Sequence, residues 1–255
     1  MVSNTQERQE KIIEYLNANG SVRIGDIIRM FGVSDVTVRK DLVTLEEQGL
    51  LVRTHGGAEH TKRTRQNYSY QKMLNSNKEE KIKISEVILR YIDDRSSVMI
   101  SPGTTNIYIS RKLASRNNLR VITNSNRIVD VFENSFQTNI IFLGGMLNTA
   151  EYSTYGEDTI EQLEKYVADV AVLSVDGISA RGGITVFEAQ EAGVYRKMIQ
   201  QSNKVILAAD HTKIGNISLS TVGSASDIDI LITSKNADTA HVEELKKLGI
   251  EIVLV

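Results

Sequence analysis

The sequence predicts an α/β protein in two parts, a small helical unit that ends in a hairpin and a larger domain built on a mostly parallel sheet. Over residues 1–60, apolar side chains recur at helical spacing. Over residues 78–255, short continuous apolar runs alternate with helical patterns, which is typical of strands buried on both faces and covered by helices. The segment 61–77 is polar, and we interpret it as a linker.

The composition is that of a globular protein and excludes several kinds of site. Of 255 residues, 41% are hydrophobic and 24% are charged. The chain has no cysteine, so it forms neither disulfides nor thiolate metal sites, and its four histidines are scattered. No apolar stretch approaches the ~20 residues of a membrane helix, and the N-terminus lacks the apolar core of a secretory signal. We expect a cytoplasmic protein with no membrane partner, no metal and no cofactor.

The charge distribution is nearly balanced. Residues 1–65 carry ten Lys/Arg against nine Asp/Glu, a net +1, and the remaining 20 against 23 give −3, in agreement with the total of −2. A basic domain would indicate a nucleic-acid partner on charge alone. Here only a motif can establish one.

Three helices are predicted in the first unit. The first runs from about Thr5 to Asn19, and Gly20 suits its C-terminal end. The third begins after Ser34, a natural N-cap. The apolar faces of the three helices comprise Ile12, Ile13, Leu16, Ile27, Ile28, Phe31, Val38, Leu42 and Leu45. Two helices, a tight turn and a third helix with a polar N-terminal half form the helix-turn-helix arrangement, whose third helix enters the major groove of DNA.

The third helix and the hairpin after it supply the candidate DNA contacts. The hairpin is predicted to bend at Gly56 and Gly57, and we interpret it as a wing. The candidate DNA-binding residues are Ser34, Val36, Thr37, Arg39 and Lys40 on the helix and Arg53, His55 and Gly56 on the hairpin. Three amphipathic helices and a hairpin also make protein-interaction modules, so the pattern alone leaves both functions open.

A specific motif favours DNA binding. Residues 33–57, VSDVTVRKDLVTLEEQGLLVRTHGG, strongly resemble the N-terminal signature of the DeoR family of bacterial transcriptional regulators, a winged helix-turn-helix ending in the same His-Gly-Gly. Where the family often has Arg-Arg-Asp, this chain has Arg39-Lys40-Asp41, and lysine cannot make the bidentate base contact of arginine. The resemblance implies a double-stranded DNA operator as partner, repression as the mode of action, and a homodimer or homotetramer.

The resemblance continues through the second domain. The matching landmarks are SPGTTN (101–106), ITNSN (122–126), FLGGML (142–147), SVDGIS (174–179), GGITVFEAQEAGVYRKM (182–198) and ADHTKIG (209–215). The family's sensor domain resembles the ribose phosphate isomerase and CoA transferase fold and binds phosphorylated sugars. The resemblance therefore implies a phosphorylated sugar effector and a carbohydrate-utilisation operon.

The loop SPGTTN has the composition of a phosphate-binding turn between a strand and a helix. Small residues let backbone N–H groups approach a phosphate, and the helix N-terminus adds a favourable dipole. Gly103 permits close approach, Thr104 and Thr105 add hydroxyl donors, and Pro102 has no N–H to donate. Ser101 with Pro102 replaces the Asp-Ser of the common family loop, which affects recognition of the sugar hydroxyls more than of the phosphate. Alone, such a turn is more often only a capping device.

Other polar residues follow neighbouring strands and converge on the same rim, because ligands bind outside the carboxyl ends of parallel strands. Asn124 and Ser125 end one strand, and Asp176 ends another, although an Asp-Gly turn explains Asp176 equally well. Glu191 is a further candidate, with an ion pair as the alternative. Lys213 resembles the family's lysine at this place and is suited to neutralise a phosphate. The candidate ligand-binding residues are Ser101, Gly103, Thr104, Thr105, Asn124, Ser125, Asp176, Glu191 and Lys213.

An isomerase-like enzyme is the alternative function. The isomerases that the sensor domain resembles carry Asp-Gly-Ala-Asp, whereas this chain has Asp176-Gly177-Ile178-Ser179, and Arg181 stands near the glycine run in place of lysine. Moving a proton between adjacent carbons requires a carboxylate base and a group that stabilises the enediolate. Since one acid is absent, we expect binding without turnover and no catalytic residues.

Overall fold

The computed structural model describes residues 5–48, 50–59 and 70–255. The chain forms two compact units, Met1–Met73 and Leu74–Val255. The predicted linker lies partly outside the described residues; its residues 70–75 are helical. The carbonyl of Leu74 accepts a hydrogen bond from the Tyr108 hydroxyl at 3.3 Å, so contacts of the second unit begin before residue 78.

The first unit is a three-helix bundle with a three-stranded sheet. Its elements are α1 (Thr5–Asn19), β1 (Ser21–Arg23), α2 (Ile24–Phe31), α3 (Asp35–Glu47), β2 (Val52–Thr54) and β3 (Gly57–Glu59). The strands pair antiparallel in the order β1-β3-β2. Its core is formed by Ile12, Leu16, Val22, Ile24, Ile27, Val38, Leu42, Leu45, Leu51 and Ala58.

Local sequence signals explain these boundaries. Gly20 ends α1 with φ 77°, and its N–H donates to the Leu16 carbonyl at 2.7 Å. Ser34 caps α3, because its side chain accepts the Thr37 N–H at 3.2 Å. The wing turns at His55 and Gly56, and Gly57 already belongs to β3. A side-chain carbon at Gly57 would lie 1.8 Å from the Val22 carbonyl oxygen, so the β1–β3 pairing requires glycine there.

The second unit contains a seven-stranded parallel sheet, in the order β15-β14-β12-β9-β4-β5-β6. The strands of the unit are β4 (Ser97–Ile100), β5 (Arg120–Thr123), β6 (Asn139–Phe142), β7 (Met146–Asn148), β8 (Ser153–Tyr155), β9 (Val170–Leu173), β10 (Gly177–Ser179), β11 (Gly183–Val186), β12 (Val205–Ala208), β13 (Ser220–Gly223), β14 (Ile230–Thr233) and β15 (Glu251–Leu254). The short apolar runs predicted over residues 78–255 form the strands of this sheet, which confirms the predicted α/β fold class.

The helices of the second unit are α4 (Lys78–Val87), α5 (Thr104–Leu113), α6 (Asn126–Val131), α7 (Glu157–Leu163), α8 (Ala192–Gln200) and α9 (Thr239–Lys246), with 3-10 turns at Ile88–Arg90, His211–Lys213 and Ala225–Asp227. The five inner strands are buried on both faces. The edge strands β6 and β15 are partly exposed, because each has a neighbour on one side only. Two smaller antiparallel groups, β7-β8 and β10-β11-β13, complete the unit. Among the described residues, no helix has the length and apolar character to cross a membrane.

Candidate DNA-binding and effector sites

The N-terminal half of α3 presents the predicted base-contacting side chains to solvent. Val36 is 64% exposed. Arg39 and Lys40 are exposed, and Thr37 is half-buried beside the Ser34 cap. The wing presents His55 and Gly56 at its exposed turn.

Both candidate arginines are held by acidic neighbours. Arg39 Nε lies 2.5 Å from Asp35 Oδ1, one turn earlier in α3. On the wing, Arg53 donates its backbone N–H to Glu46 Oε1 at 2.9 Å and its Nε to Glu46 Oε2 at 2.6 Å. Both hydrogen bonds lower the pKa of the Glu46 carboxyl, and the backbone bond has the larger effect. They tie the wing to α3. Lys40 has no ion pair within the described residues.

A buried ion pair lies beneath the recognition helix. The Asp41 carboxylate, 3% exposed, accepts Arg8 Nε at 2.6 Å and a second nitrogen of the same guanidinium at 3.1 Å. Gln9 Nε2 donates to the same carboxylate at 3.1 Å. The aspartate of the Arg39-Lys40-Asp41 motif therefore joins α1 to α3 rather than facing solvent. The sequence reasoning did not single out this role.

The loop after β4 leaves the N-terminus of α5 without a side-chain cap. Gly103 has φ 129°, and a side-chain carbon there would lie 2.6 Å from Ser174 Oγ, so the loop requires glycine. Thr104 and Thr105 are the first residues of α5 and are buried, at 9% and 3% exposure. The N–H groups of this first turn have no intrahelical acceptor, which suits them to an anion.

Ser101 is directed into the protein rather than toward the loop surface. Its side chain is fully buried, and its Oγ accepts the Ser174 N–H at 3.0 Å. Asn106 Nδ2 lies 3.1 Å from the same Oγ, 2.8 Å from the Ser101 carbonyl and 3.1 Å from the Val172 carbonyl. The serine that replaces the family's aspartate thus links β4, β9 and α5.

The turn between β7 and β8 covers the end of β5. Asn124 and Ser125 are both buried there. The Asn124 carbonyl accepts the Thr154 N–H at 2.8 Å, and Asn124 Nδ2 donates to the Thr154 carbonyl at 2.7 Å. Asn124 Oδ1 is buried and has no hydrogen-bond partner among the residues that the structure describes.

Glu191 occupies the N-cap position of α8 without a side-chain capping bond, and its side chain contacts the adjacent ends of β7 and β8. Its Oε1 accepts Ser153 Oγ at 3.0 Å and Asn148 Nδ2 at 3.4 Å. The side chain is 6% exposed, and this burial raises the pKa of the carboxyl to about 7, with the neighbouring Glu151 and Glu188 adding to the shift. The ion pair considered for Glu191 is not formed among the described residues.

Two lysines lie near the ends of β9 and β12. Lys213 Nζ is 3.8 Å from Asp176 Oδ1, and Asp176 Oδ2 accepts the Phe187 N–H at 2.8 Å. Lys81 on α4 is 3% exposed, and its Nζ donates to the Ser76 carbonyl at 2.8 Å. Burial lowers the pKa of Lys81, and Asp210 opposes this shift. Lys81 is a second candidate phosphate cation that sequence reasoning missed.

Glu80, Asp210 and His211 bring potential metal-ligand atoms within 4.8 Å of one another. His211 Nδ1 is 2.9 Å from Glu80 Oε1, and Asp210 Oδ1 accepts the N–H and hydroxyl of Thr212. These hydrogen bonds account for the three side chains without an ion.

Comparison with known proteins decides the family. The model of the "DeoR C terminal sensor domain" matches residues 76–235, more than half of the chain, and the model of the "DeoR-like helix-turn-helix domain" matches residues 8–64. The chain belongs to the DeoR family. The winged helix-turn-helix is therefore a DNA-binding domain and the second unit is a DeoR sensor domain, as the sequence predicts.

Relatives of this DeoR-family chain are named as repressors. The HTH-type transcriptional repressor GlcR of Bacillus subtilis is 34% identical over 98% of this chain and 96% of its own. A putative aga operon transcriptional repressor of Escherichia coli O157:H7 is 29% identical, covering 100% and 95%. Among solved structures, a D-ribose-5-phosphate isomerase in complex with phospho-erythronic acid aligns over 53% of each chain, with 15% identity and a TM-score of 0.39. Family membership makes the chain a regulator and not an enzyme, which confirms the prediction.

Protonation of Glu191 should make the stability of the DeoR sensor domain depend on pH. The folded pKa of about 7 exceeds the ordinary 4.5, so the folded state binds more protons between these values. We therefore expect the contribution of Glu191 to the free energy of unfolding to fall as pH rises from 4.5 to 7, by on the order of 3 kcal/mol, and then to level off. Urea denaturation at each pH measures it.

Glu191→Gln should remove most of this pH dependence and raise the stability of the second unit above pH 7. Gln retains an acceptor for Ser153, so the hydrogen bond that holds the turn is preserved. Glu161→Gln on the exposed side of α7 is the matched control and should leave the profile unchanged. Identical profiles for wild type and Glu191→Gln would contradict the assignment.

Proposed function

We propose that this DeoR-family chain represses a carbohydrate-utilisation operon and is released from its DNA operator by a phosphorylated sugar. A homodimer or homotetramer would place winged domains on repeated half-sites, with α3 at the base edges and the basic side chains of α3 and the wing at phosphates. The relatives named as repressors support the sign of regulation. We also propose that the protein acts in the cytoplasm, together with its operator.

The observation that carries the effector proposal is the uncapped N-terminus of α5. Its free N–H groups follow Gly103 and lie beside Ser174 at the end of β9, because β4 and β9 are neighbours in the sheet. Asp176, two residues after Ser174, lies 3.8 Å from the ammonium of Lys213. Backbone donors, a helix dipole and the ammonium of Lys213 suit the phosphate of a sugar phosphate.

Release from DNA requires a difference in effector affinity between two states of the assembly. The effector shifts the population only by the ratio of its affinities for the DNA-binding and released states. By linkage, operator DNA weakens effector binding by the same factor. The coupling can therefore be measured either as the effect of the effector on operator binding or as the effect of operator DNA on effector binding.

Lys40→Ala combined with Arg53→Ala should weaken operator binding about tenfold or more and lower the slope of log K against log salt by about 2, if each side chain contacts one phosphate. Fluorescence anisotropy with labelled operator DNA at several salt concentrations measures both. Lys11→Ala is the matched control, because Lys11 is exposed on α1 and pairs with Glu7. An unchanged slope in the double variant would exclude these phosphate contacts.

Thr105→Ala combined with Lys213→Ala should have the reverse effect. Operator binding should persist, whereas release and thermal stabilisation by a panel of sugar phosphates should be lost. A ligand at about 100 times its dissociation constant stabilises the wild type by ~2.7 kcal/mol, which a thermal melt resolves. Unphosphorylated parent sugars are the controls. Equal damage to both functions by both double variants would contradict the division of labour.

A further inference from the structure

One stretch of the second unit carries no charged side chain. Residues 134–150, NSFQTNIIFLGGMLNTA, contain no Asp, Glu, Lys, Arg or His, although 24% of the chain is Asp, Glu, Lys or Arg. This uncharged segment comprises the edge strand β6, the strand β7 and the turns beside them. The surfaces of globular proteins are normally rich in charge, whereas the centres of protein interfaces are depleted of it.

The uncharged segment also exposes large apolar side chains at both ends of β6. Those that are between 42% and 98% exposed are Phe136, Phe142, Met146 and Leu147. Phe136 precedes the strand and Phe142 ends it. Leu147 pairs with Thr154 of β8, and the Thr154 hydroxyl donates to the Leu143 carbonyl at 2.6 Å, so β7 lies beside the end of β6. Phe and Met are enriched at protein interfaces.

The backbone of β6 is suited to accept a further strand on its open side. The N–H groups of Asn139 and Leu143 donate to carbonyls at the two ends of β5, each at 2.9 Å. Because alternate N–H groups of a strand point to the same side, those of Ile140 and Phe142 point to the open edge. Proteins usually protect such an edge with charged side chains or proline. The sequence of β6, Asn-Ile-Ile-Phe, has neither.

We propose that two copies of this chain associate through β6, with the two β6 strands antiparallel about a twofold axis and the apolar side chains of the uncharged segment packed across it. This inference rests on the proposed function, which requires more than one copy of the chain at repeated half-sites. Dimers with twofold symmetry are by far the commonest homo-oligomers.

The charge distribution favours a second copy as the occupant of this edge. A twofold axis places the same surface on both sides, so a charged side chain near the axis faces a like charge, and the uncharged segment avoids this repulsion. The opposite edge strand, β15, has Glu251, whose Oε1 accepts the Tyr91 hydroxyl at 2.8 Å. A symmetric contact there would bring two acids together.

The exposed apolar area is of the size that such a contact needs. Phe136 alone would bury about 150 Å² on each copy, roughly a fifth of the ~800 Å² that each partner buries in a stable interface. The other exposed side chains of the uncharged segment and the paired backbone of β6 add to this area.

Sedimentation velocity of the full chain over a range of concentrations tests the contact. Phe142→Lys combined with Leu147→Lys should raise the dissociation constant of the contact about 100-fold or more, so that the assembly falls to half its mass. Val167→Lys combined with Leu219→Lys is the matched control, because both side chains are apolar and exposed outside the uncharged segment. The control should assemble like the wild type.

Two outcomes would overturn the inference in different ways. An assembly retained in the Phe142→Lys, Leu147→Lys variant would show that the copies meet elsewhere, and the proposed function would stand. A wild type that stays monomeric at every concentration would overturn both the inference and the homo-oligomer of the proposed function.

Amide hydrogen exchange tests the strand pairing without a substitution. The N–H groups of Ile140 and Phe142 should exchange at least tenfold more slowly above the dissociation constant of the wild-type assembly than after dilution below it. Ile252 and Leu254 on the opposite edge strand are the control and should exchange equally at both concentrations. Equal exchange of Ile140 and Phe142 at both concentrations would overturn the proposed β6 contact.

Discussion

Replacing Asp41 with alanine should lower the free energy of unfolding of the DNA-binding unit by about 3–5 kcal/mol, because the Arg8 guanidinium would remain buried without the carboxylate. Amide hydrogen exchange of α1 and α3 in the full chain measures this, since it reports opening of the first unit separately from the second. We expect exchange about 150–5000-fold faster in both helices.

Two further variants distinguish loss of the buried pair from loss of any acid. Asp35→Ala removes the carboxylate of the exposed pair with Arg39, and it should change exchange little, because solvent screens such pairs. Arg8→Met combined with Asp41→Leu removes both buried charges and should recover most of the lost stability. If Asp41→Ala exchanged no faster than Asp35→Ala, the buried pair would not hold α1 against α3.

Replacing Gly103 with alanine should weaken sugar phosphate binding roughly 10–100-fold. The backbone at φ 129° costs an alanine about 1–3 kcal/mol, and the added carbon would lie 2.6 Å from Ser174 Oγ. If the loop moves to relieve this contact, it displaces the N–H groups of the proposed phosphate site. Calorimetry with the best sugar phosphate of the panel measures the affinity, and operator binding should remain because it belongs to the first unit.

Gly144→Ala is the matched control for this substitution. Gly144 also follows a strand of the main sheet, but a side-chain carbon there would lie 3.5 Å from Gln162 Nε2, which is an ordinary contact. We expect effector affinity close to that of the wild type. A Gly103→Ala protein that keeps its effector affinity would show that the phosphate does not depend on the geometry of this loop.

The main elements of the fold were predictable because each has a strong local signal. The capping by Ser34 and the end of α1 at Gly20 follow from side-chain chemistry, and long apolar runs identify the inner strands. The strands β7, β8, β10, β11 and β13 were not predicted. They have three or four residues each, many of them glycine, serine or threonine, and their pairing depends on the sheet behind them.

The sequence predicted the parts of the candidate site that depend on glycine and backbone N–H groups, as at Gly103. The sequence did not predict the roles of side chains that act because they are buried. Lys81 shares the inner face of α4 with Ile84 and Ser85, a helical spacing that could have indicated a buried cation. Asp41 falls on the inner face of α3 in the same way. Conversely, Ser101 was assigned to the ligand from its position in the loop, and its hydrogen bonds to Ser174 and Asn106 became apparent only in the folded chain.

The acids that hold Arg39 and Arg53 bear on how many copies of this repressor a cell needs. Each arginine approaches a duplex with a carboxylate attached, which lowers the net charge that it brings to the phosphates, so the unit gains less from DNA of random sequence, where phosphates supply nearly all of the affinity. A genome offers about 10⁶ or more such competing sites for every operator. A protein that binds these sites more weakly has a larger free fraction. We therefore expect a small number of copies to keep the operator occupied.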